Sequence, residues 1–279
     1  MNILLTGSTG FVGSALVPKL EGNHRLVCPG RTDLDSVNSP VELDLAVKKE
    51  NIEFIVHLAH PRLPHILNSM SEAIMMLRNI LEVCRLNNIP LLYLSSLAVF
   101  TGYHNLETIS PETRPLPEGV YGQTKYLCEK LIESYEELYG LKAVLLRPSY
   151  IYGPGMDKSR VIYKFIDNAK RNVRITVHKY VNGFQVLDYL HKEDLAEAIV
   201  ASLKQWSFVR ETINVGTGTG TSILQLAELI RDLSNSRSEI EIVSINNKTS
   251  NLVVDPAQGF HLLGWRARTA LSEALGSLI

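Results

Sequence analysis

The chain has 279 residues, of which 45% are hydrophobic and 20% are charged, and its formal net charge is −1. These values are typical of a globular protein with a sizeable core and exclude an intrinsically disordered chain. Lys and Arg are scattered without a basic stripe, so we expect no nucleic-acid partner. No apolar run is long enough to cross a bilayer, and a strand-like pattern that starts at Asn2 leaves no room for a signal peptide. We therefore expect a cytoplasmic protein without a membrane partner.

The cysteines and histidines form no pattern typical of a disulfide framework or a metal site. The three cysteines lie far apart and include no C-x-x-C motif: Cys28, Cys84 and Cys128. His57 and His60 are three residues apart with His65 beyond, but no carboxylate or cysteine completes a ligand set. We expect reduced cysteines that serve in packing, and no metal.

The first predicted strand leads into a glycine-rich turn and then into a helix. Gly7, Gly10 and Gly13 follow an apolar run, and apolar residues with helical spacing come directly after them. Glycine permits positive φ and lets a pyrophosphate approach the N–H groups that open a helix. An ordinary strand-to-helix turn is the alternative. We expect a dinucleotide to bind this turn at Gly7, Thr9, Gly10, Phe11, Val12 and Gly13.

The second predicted strand, Arg25–Cys28, ends near an arginine. Arg31 lies 18 residues (31 − 13) past Gly13, at the strand tip where a dinucleotide fold meets the adenosine ribose. An arginine there accommodates the 2′-phosphate of NADP, whereas an acidic residue favours NAD. Arg31 therefore favours NADP, while the neighbouring Asp33 and Asp35 keep NAD possible. A solvated loop arginine is the alternative interpretation.

Two further strands are predicted at Val41–Leu45 and Ile52–Ala59. The last residues of the first, Asp44 and Leu45, are placed to reach an adenine. Because parallel sheets bind ligands at the carboxyl ends of their strands, the end of the second would lie near the middle of the cofactor. That end comprises Leu58, Ala59 and His60.

A long helix is predicted from 66 to 86. Its apolar residues cover more than one stripe of the helix surface. Such a helix is buried on two sides, either beneath other elements or in a subunit interface.

The next strand ends in a serine, and the next helix carries a Tyr–Lys pair. Ser96 follows the strand Pro90–Leu94, and after a long loop at 101–119 the helix places Tyr121 and Lys125 on one face. Because tyrosine has a pKa of about 10, it needs a cation to shuttle protons near neutral pH, and Lys125 supplies one. Ser96 can hold a substrate oxygen against Tyr121. The set predicts carbonyl–alcohol interconversion with a nicotinamide cofactor, and an exposed Tyr–Lys pair is the alternative.

Strand and helix patterns alternate six times, which predicts an α/β fold with a Rossmann-like doubly wound parallel sheet. We assign residues 1–150 to a dinucleotide-binding domain, with 184–216 returning to it. The remaining segments, 151–183 and 217–279, predict a smaller C-terminal substrate-binding region. Predicted elements in the C-terminal half are helices at 161–170, 193–203 and 223–233 and strands at 186–191 and 239–243.

The motifs Gly7-x-x-Gly10-x-x-Gly13, Ser96 and Tyr121-x-x-x-Lys125 resemble the extended short-chain dehydrogenase/reductase family. The resemblance is to its NAD(P)-dependent epimerase/dehydratase group, which acts on nucleotide sugars, and it runs along almost the whole chain. It includes the blocks His57–Ala59, Ser95–Phe100, Leu146–Pro154, Asp188–Ala196, Asn214–Gly216 and Leu263–Trp265.

The resemblance implies roles for individual residues. It selects Ser96 over Ser95 as the catalytic serine, beside Tyr121 and Lys125. It also implies a homodimer that packs the helices near 66–86 and 120–139 into a four-helix bundle, and a nucleotide sugar as substrate. It implies cofactor contacts from Leu58, Ala59 and Pro148, and contacts near the adenine from Asp44 and Leu45.

Four positions depart from the pattern of this family. Leu187 stands where an arginine that grips the substrate diphosphate is common, and Tyr150 stands where asparagine is frequent. Phe100 replaces a usual tyrosine, and Ala73 replaces a helix asparagine. Because of these departures, the usual contacts to the substrate diphosphate are in doubt. The substrate could be an unusual nucleotide sugar or another compound.

The sequence supports three functions. The first is a reductase that acts on a keto group of a nucleotide-linked deoxy sugar, with NADP favoured. The second is an NAD-dependent epimerase or, less in keeping with Leu97 and Ala98 after Ser96, a dehydratase. The third is a dinucleotide-binding protein without catalysis, which the complete set of Ser96, Tyr121 and Lys125 argues against.

Overall fold

Strands and helices alternate along the N-terminal half of the chain. The computed structural model describes residues 1–30, 40–61, 66–207 and 211–279. The strands in these ranges are β1 (Asn2–Thr6), β2 (Arg25–Val27), β3 (Phe54–His57), β4 (Leu91–Leu94), β5 (Leu106–Ile109), β6 (Ala143–Pro148), β7 (Tyr150–Tyr152), β8 (Ile175–Tyr180), β9 (Gly183–Phe184), β10 (Val186–His191), β11 (Thr212–Val215), β12 (Gly220–Ser222), β13 (Ile240–Ile245) and β14 (Asn251–Val254). The helices are α1 (Gly13–Leu20), α2 (Pro40–Lys49), α3 (Leu67–Asn87), α4 (Gly119–Tyr139), α5 (Val161–Lys170), α6 (Lys192–Gln205), α7 (Ile223–Leu233), α8 (Ala257–Leu263) and α9 (Leu271–Leu278). A short 3-10 helix spans Leu97–Phe100.

Six strands form one parallel sheet in the order β11-β6-β4-β3-β1-β2. The chain first builds outward from β1 to β2 and then builds in the opposite direction from β3. The change of direction creates a crevice between the carboxyl ends of β1 and β3, where doubly wound sheets bind their ligands. The predicted α/β fold with a parallel central sheet is confirmed.

Helices cover both faces of this sheet, because successive residues of a strand point to opposite sides. Ile3 and Leu5 pack into a cluster with residues of α1 and α6, whereas Leu4 packs into a second cluster with residues of α2, α3 and α4. All three side chains are fully buried. The sheet is therefore the middle layer of three.

A second region is built on a mixed sheet in the order β12-β10-β14-β5, with β7 also paired to β10. A third sheet, β13-β8-β9, lies in the same half of the chain. The apolar cluster beneath these sheets includes residues of α5, α7 and α9. Within the segment 184–216, which we expected to return to the first domain, α6 and β11 do so, whereas β10 belongs to the second sheet.

The predicted long loop at 101–119 contains a strand, β5, so the prediction is wrong over these residues. This strand pairs in parallel with β14, so that Leu106 lies opposite Asn251. Only Ile109 of its four residues is buried, and Leu106 is largely exposed. The local sequence therefore carries little strand signal, since the partner that stabilises β5 lies in the C-terminal part of the chain.

The strand predicted at Val41–Leu45 is also wrong, because these residues lie in α2. Apolar and polar residues alternate there, but the buried residues are Leu43 and Val47, which are four apart as on a helix. Pro40 occupies the first helical position, where its missing N–H costs no hydrogen bond.

The cysteines differ in their surroundings. Cys84 and Cys128 are buried and pack as expected, whereas Cys28 is exposed, so its predicted packing role is wrong. In the part of the chain that the structure describes, no cluster of His, Cys, Asp and Glu could hold a metal ion. No helix in the described ranges combines the length and the apolar character needed to cross a membrane.

Candidate active site

The glycine-rich turn lies directly after β1, at the crevice of the parallel sheet. Gly7 has a φ of +76°, which favours glycine. A Cβ atom on Gly7 would lie 2.8 Å from the backbone N of Ala59, and one on Gly13 would lie 2.2 Å from the carbonyl oxygen of Gly7. Gly10 N–H donates to that same carbonyl over 3.0 Å and closes the turn. Side chains at Gly7 and Gly13 would therefore push the turn away from β3 and from the start of α1.

The end of α1 that opens onto this turn fits the phosphate groups of a dinucleotide. Val12, at the N-cap, makes no side-chain hydrogen bond to the helix. Among the described residues, the N–H groups of Phe11, Val12 and Gly13 donate to no backbone carbonyl, whereas that of Ser14 donates to Gly10. The three groups at the start of α1 are therefore available to an anion, and the helix dipole favours a negative charge there. Thr9 and Gly10 are exposed, Phe11 is half-buried and Val12 is buried.

The segment after β3 lies between this turn and Tyr121. Leu58, Ala59 and His60 are half-buried, and the His60 ring lies edge-on to the ring of Tyr121 with 5.2 Å between the ring centroids. His57 at the strand end is buried and hydrogen-bonded through Nδ1 to Thr6 Oγ1 over 2.6 Å. Burial lowers the pKa of His57 to about 3, so its imidazole is neutral at physiological pH.

A cavity of about 270 Å³ lies at the carboxyl ends of β4 and β6. Ser96 and Tyr121 both line it, and the Ser96 hydroxyl lowers the pKa of Tyr121. Residues that line this cavity include Ser96, Tyr121, Pro148, Tyr150, Leu187 and Asp188. The structure thus brings a strand end, a helix and a second strand end together at one pocket.

The two serines after β4 point to different partners. Ser96 caps the short 3-10 helix, with its Oγ accepting a hydrogen bond from Ala98 N–H over 3.1 Å, and it lines the cavity. Ser95 is buried, and its hydroxyl donates to the Glu129 carboxylate. Only Ser96 is therefore placed to contact a substrate beside Tyr121.

Lys125 lies one helical turn from Tyr121, but its ammonium points to the sheet. Nζ donates to the Leu94 carbonyl oxygen over 2.7 Å and to the Tyr93 hydroxyl over 3.3 Å. Burial lowers the pKa of Lys125 to about 8, which the nearby Cys128 and Glu129 partly oppose. The ammonium is therefore charged below about pH 8.

The pKa of Tyr121 is raised, chiefly by burial, and is brought back in part by the hydrogen bond from Ser96 and by the cation of Arg160. We expected Lys125 to supply this cation. In the structure, the guanidinium of Arg160, at the N-cap of α5, lies 6.0 Å from the centroid of the Tyr150 ring, and its charge opposes the rise that burial causes in the pKa of Tyr150. Arg160 thus adds a second positive charge to the proton-transfer site.

A buried ion pair lies behind Ser96. Arg147 donates from Nε to Glu129 Oε1 over 2.9 Å and from Nη2 to Oε2 over 2.7 Å, and Glu129 also accepts from Ser95. The guanidinium stacks 5.1 Å from the ring centroid of Phe100. This network connects the end of β4 with α4, which carries Tyr121.

Asp188 on β10 is buried, has no cationic partner among the described residues and accepts hydrogen bonds from five donor groups. Its carboxylate accepts from the hydroxyls of Ser149 and Thr217 and from the backbone N–H groups of Thr217, Gly218 and Val254. These donors come from separate segments, so Asp188 fixes the wall of the pocket that faces the second sheet.

Three predicted cofactor contacts lie away from these groups or outside the described residues. The Asp44 carboxylate accepts hydrogen bonds from Lys48 and Asn87, each over 2.7 Å, and Leu45 is 61% exposed on α2. Their approach to an adenine stays a prediction. Arg31 lies outside the described residues, so its contact with a 2′-phosphate also stays a prediction.

Sequence reasoning missed the roles of Glu129 and Arg160. Glu129 follows Lys125 by four residues, so helical spacing already placed the two on one face. No comparable signal existed for Arg160, because its approach to Tyr150 depends on how α5 packs against β7.

The chain is similar to known proteins along most of its length. The NAD dependent epimerase/dehydratase family matches residues 3–216. A putative UDP-glucose 4-epimerase of Methanocaldococcus jannaschii is 27% identical over 99% of this chain and 97% of its own length. A dTDP-4-dehydro-6-deoxyglucose reductase of Escherichia coli is 24% identical over 99% of this chain and 96% of its own length.

Among solved structures, the UDP-glucose 4-epimerase of Thermotoga maritima with UDP-glucose has a TM-score of 0.85 at 25% identity. The superposition covers 99% of this chain and 96% of the epimerase. The resemblance that the glycine, serine and Tyr–Lys motifs predict is confirmed. Because the family match spans more than half of the sequence, the chain belongs to the NAD-dependent epimerase/dehydratase family of nucleotide-sugar enzymes.

Proposed function

We propose that this chain reduces a keto group of a nucleotide-linked deoxy sugar, with Tyr121 as the proton donor. The observation that carries the proposal is that Ser96 and Tyr121 both line the 270 Å³ cavity, where the Ser96 hydroxyl lowers the pKa of Tyr121. His60 connects that cavity to the glycine-rich turn through its contact with Tyr121. A dinucleotide bound at the turn would therefore extend toward the hydroxyls that hold the substrate.

When bound, the nicotinamide supplies the hydride that goes to the sugar carbon. Tyr121 Oη gives its proton to the sugar oxygen, which Ser96 Oγ holds in place by a hydrogen bond. The proton transfer leaves a phenolate in a buried pocket, where a negative charge is costly. The cations of Arg160 and Lys125 reduce that cost.

Dehydration is disfavoured because the pocket offers no carboxylate that is free to assist elimination. Leu97 and Ala98 follow Ser96 along the cavity wall. Among the described residues that line the cavity, Asp188 is the acidic one, and its oxygens accept hydrogen bonds from five donor groups.

Epimerisation is the second candidate, and the names of the relatives favour it. The Methanocaldococcus protein and the Thermotoga structure are both named UDP-glucose 4-epimerases and match nearly the whole chain. Epimerisation uses the same proton relay, but the hydride returns to the sugar and the cofactor is regenerated in each turnover.

The cofactor distinguishes the two candidates. We propose to release and identify the dinucleotide that copurifies, and then to supply a nucleotide-linked 4-keto-6-deoxy sugar with NADPH or NADH. A reductase consumes the reduced cofactor in step with the keto sugar, and the Arg31 hypothesis predicts a preference for NADPH. Tightly held NAD⁺, with interconversion of UDP-glucose and UDP-galactose and no net consumption of reduced cofactor, would overturn the reductase in favour of the epimerase.

We further propose that the chain is a homodimer through α3 and α4. Both helices present large apolar side chains to solvent, and a four-helix bundle between two copies would cover them. These residues are Leu67, Met75 and Leu86 on α3 and Leu127, Leu138 and Tyr139 on α4. A mass of twice the 31.2 kDa chain in light scattering supports the dimer, and a monomer contradicts it.

A further inference from the structure

Lys192, the first residue of α6, reaches across to the first turn of α1. Its Nζ lies 3.5 Å from Ser14 Oγ and 5.5 Å from the ring centroid of Phe11. Phe11 belongs to the glycine-rich turn, and Ser14 lies in the first turn of the helix that the turn opens. The ammonium therefore lies beside the N–H groups that are available to an anion.

The Lys192 side chain passes close to the loop after β7. A Cβ atom on Gly153, which has a φ of +141°, would lie 3.2 Å from Lys192 Cγ and 2.9 Å from His191 Nε2. Glycine at this position leaves room for both side chains. The stem of Lys192 thus passes between this loop and the ring of Phe11, which aims the ammonium at α1.

The charges around Lys192 leave its ammonium without a carboxylate partner. The neighbouring Lys19 on α1 takes Glu193 and Glu197 as partners, with Nζ–O distances of 3.2 and 3.6 Å. Within the described ranges, Lys192 takes part in no ion pair. A half-buried cation without an acid partner, beside an uncapped helix start, is suited to a phosphate group.

We propose that Lys192 binds the pyrophosphate of the dinucleotide and adds a full positive charge to the site that the glycine-rich turn begins. The inference rests on the proposed function, because it requires that a dinucleotide occupies this turn. Lys192 reaches the first turn of α1 and not the tip of β2, where the adenosine ribose is expected. Its contribution is therefore the same for NAD⁺ and NADP⁺.

The test compares three variants with the wild-type chain by calorimetric titration of NAD⁺, NADP⁺ and ADP-ribose. Lys192→Met keeps an apolar stem and removes the charge, whereas Lys192→Arg keeps the charge. Lys19→Met is the matched control, because it removes a neighbouring lysine whose ammonium is already paired. The melting temperature of each ligand-free variant reports on the fold.

We expect Lys192→Met to weaken all three ligands about tenfold, a typical size for one charge-assisted phosphate contact. The loss shrinks as salt is added, because the ions screen the interaction. Lys192→Arg and Lys19→Met retain the wild-type affinities, and the ligand-free melting temperatures stay unchanged.

Three results would overturn the inference but leave the proposed function in place, provided that the wild-type chain binds NAD⁺ or NADP⁺. The first is that Lys192→Met binds all three ligands as tightly as the wild type. The second is that Lys192→Met loses affinity for NADP⁺ alone. The third is that Lys192→Met and Lys192→Arg both lose affinity and both melt at a lower temperature than the wild type without ligand. Failure of the wild-type chain to bind any of the three ligands would overturn the proposed function itself, and this inference with it.

Discussion

Glu129 and Asp188 are buried carboxylates on two sides of the candidate active site, and they are stabilised differently. Glu129 faces the guanidinium of Arg147, with two N–H···O contacts of 2.9 and 2.7 Å. Within the part of the chain that the structure describes, Asp188 pairs with no cation, and it accepts hydrogen bonds from two hydroxyls and three backbone N–H groups. One carboxylate is paired with a cation and accepts one further hydrogen bond, from Ser95, whereas the other accepts hydrogen bonds from several segments.

The difference shows how the two regions build one pocket. In the central sheet, the ion pair joins two adjoining elements, α4 and β6, and keeps a charge near Lys125. In the second region, Asp188 ties together strands and turns that are distant in sequence. We therefore expect substitutions near Glu129 to destabilise the fold by leaving a buried charge unpaired. Substitutions at Asp188 should destabilise it by freeing the segments that its carboxylate holds together.

Arg147→Met should produce the largest effect. It leaves the Glu129 carboxylate buried without a cation, which we expect to cost about 3–5 kcal/mol of the free energy of unfolding. Urea denaturation measures this loss. The control Arg174→Met breaks an exposed pair with Glu241 and should cost less than about 1 kcal/mol. Equal losses for the two variants would contradict the assigned role of burial.

Asp188→Asn should cost less, about 2–3 kcal/mol in the free energy of unfolding. The amide NH₂ would replace an oxygen that accepts from N–H donors such as that of Gly218, so at least one buried donor loses its acceptor. The matched control Asp167→Asn alters an exposed carboxylate on α5 and should change the free energy of unfolding by less than about 0.5 kcal/mol. If Asp188→Asn were as stable as the wild type, the five hydrogen bonds to this carboxylate would not be needed for stability.

Glu129→Gln should give the smallest effect, seen in the pH dependence of turnover. Lys125 has a pKa lowered to about 8, so we expect turnover to fall above that pH as the ammonium loses its proton. The negative charge of Glu129 raises the pKa of Lys125, so its removal should move this decline to lower pH. Glu133→Gln, on the exposed face of α4, should leave the profile unchanged. A shift to higher pH in Glu129→Gln would contradict the electrostatic connection.

The fold could be predicted wherever a segment buries its own apolar pattern. The bounds of α5 and α7 match the expected 161–170 and 223–233, because both helices bury one continuous stripe. The prediction from the sequence was wrong at α2, where a short alternation of apolar and polar residues resembles the pattern of a strand. It also failed at β5, whose pairing with β14 joins segments that lie far apart along the chain.

The candidate site also contains contacts that could be predicted from the sequence and contacts that could not. The proximity of Ser96 and Tyr121 could be predicted from the sequence, because a strand end and a helix start are both expected at the carboxyl edge of the sheet. The partners of Arg147 and Arg160 could not be predicted from the sequence, because each contact depends on tertiary packing. Spacing showed that Tyr121 and Lys125 share a helix face, but not that the ammonium bonds to Leu94 and Tyr93.

The central claim is that Tyr121 transfers the proton in a reaction that also moves a hydride. Its most direct test is Tyr121→Phe, with turnover on a nucleotide-linked 4-keto sugar or on UDP-glucose measured beside dinucleotide affinity. The account predicts that turnover falls about 10²- to 10⁴-fold, the usual contribution of a general acid, while the affinity for the dinucleotide and the melting temperature stay unchanged. Turnover equal to that of the wild type would contradict it.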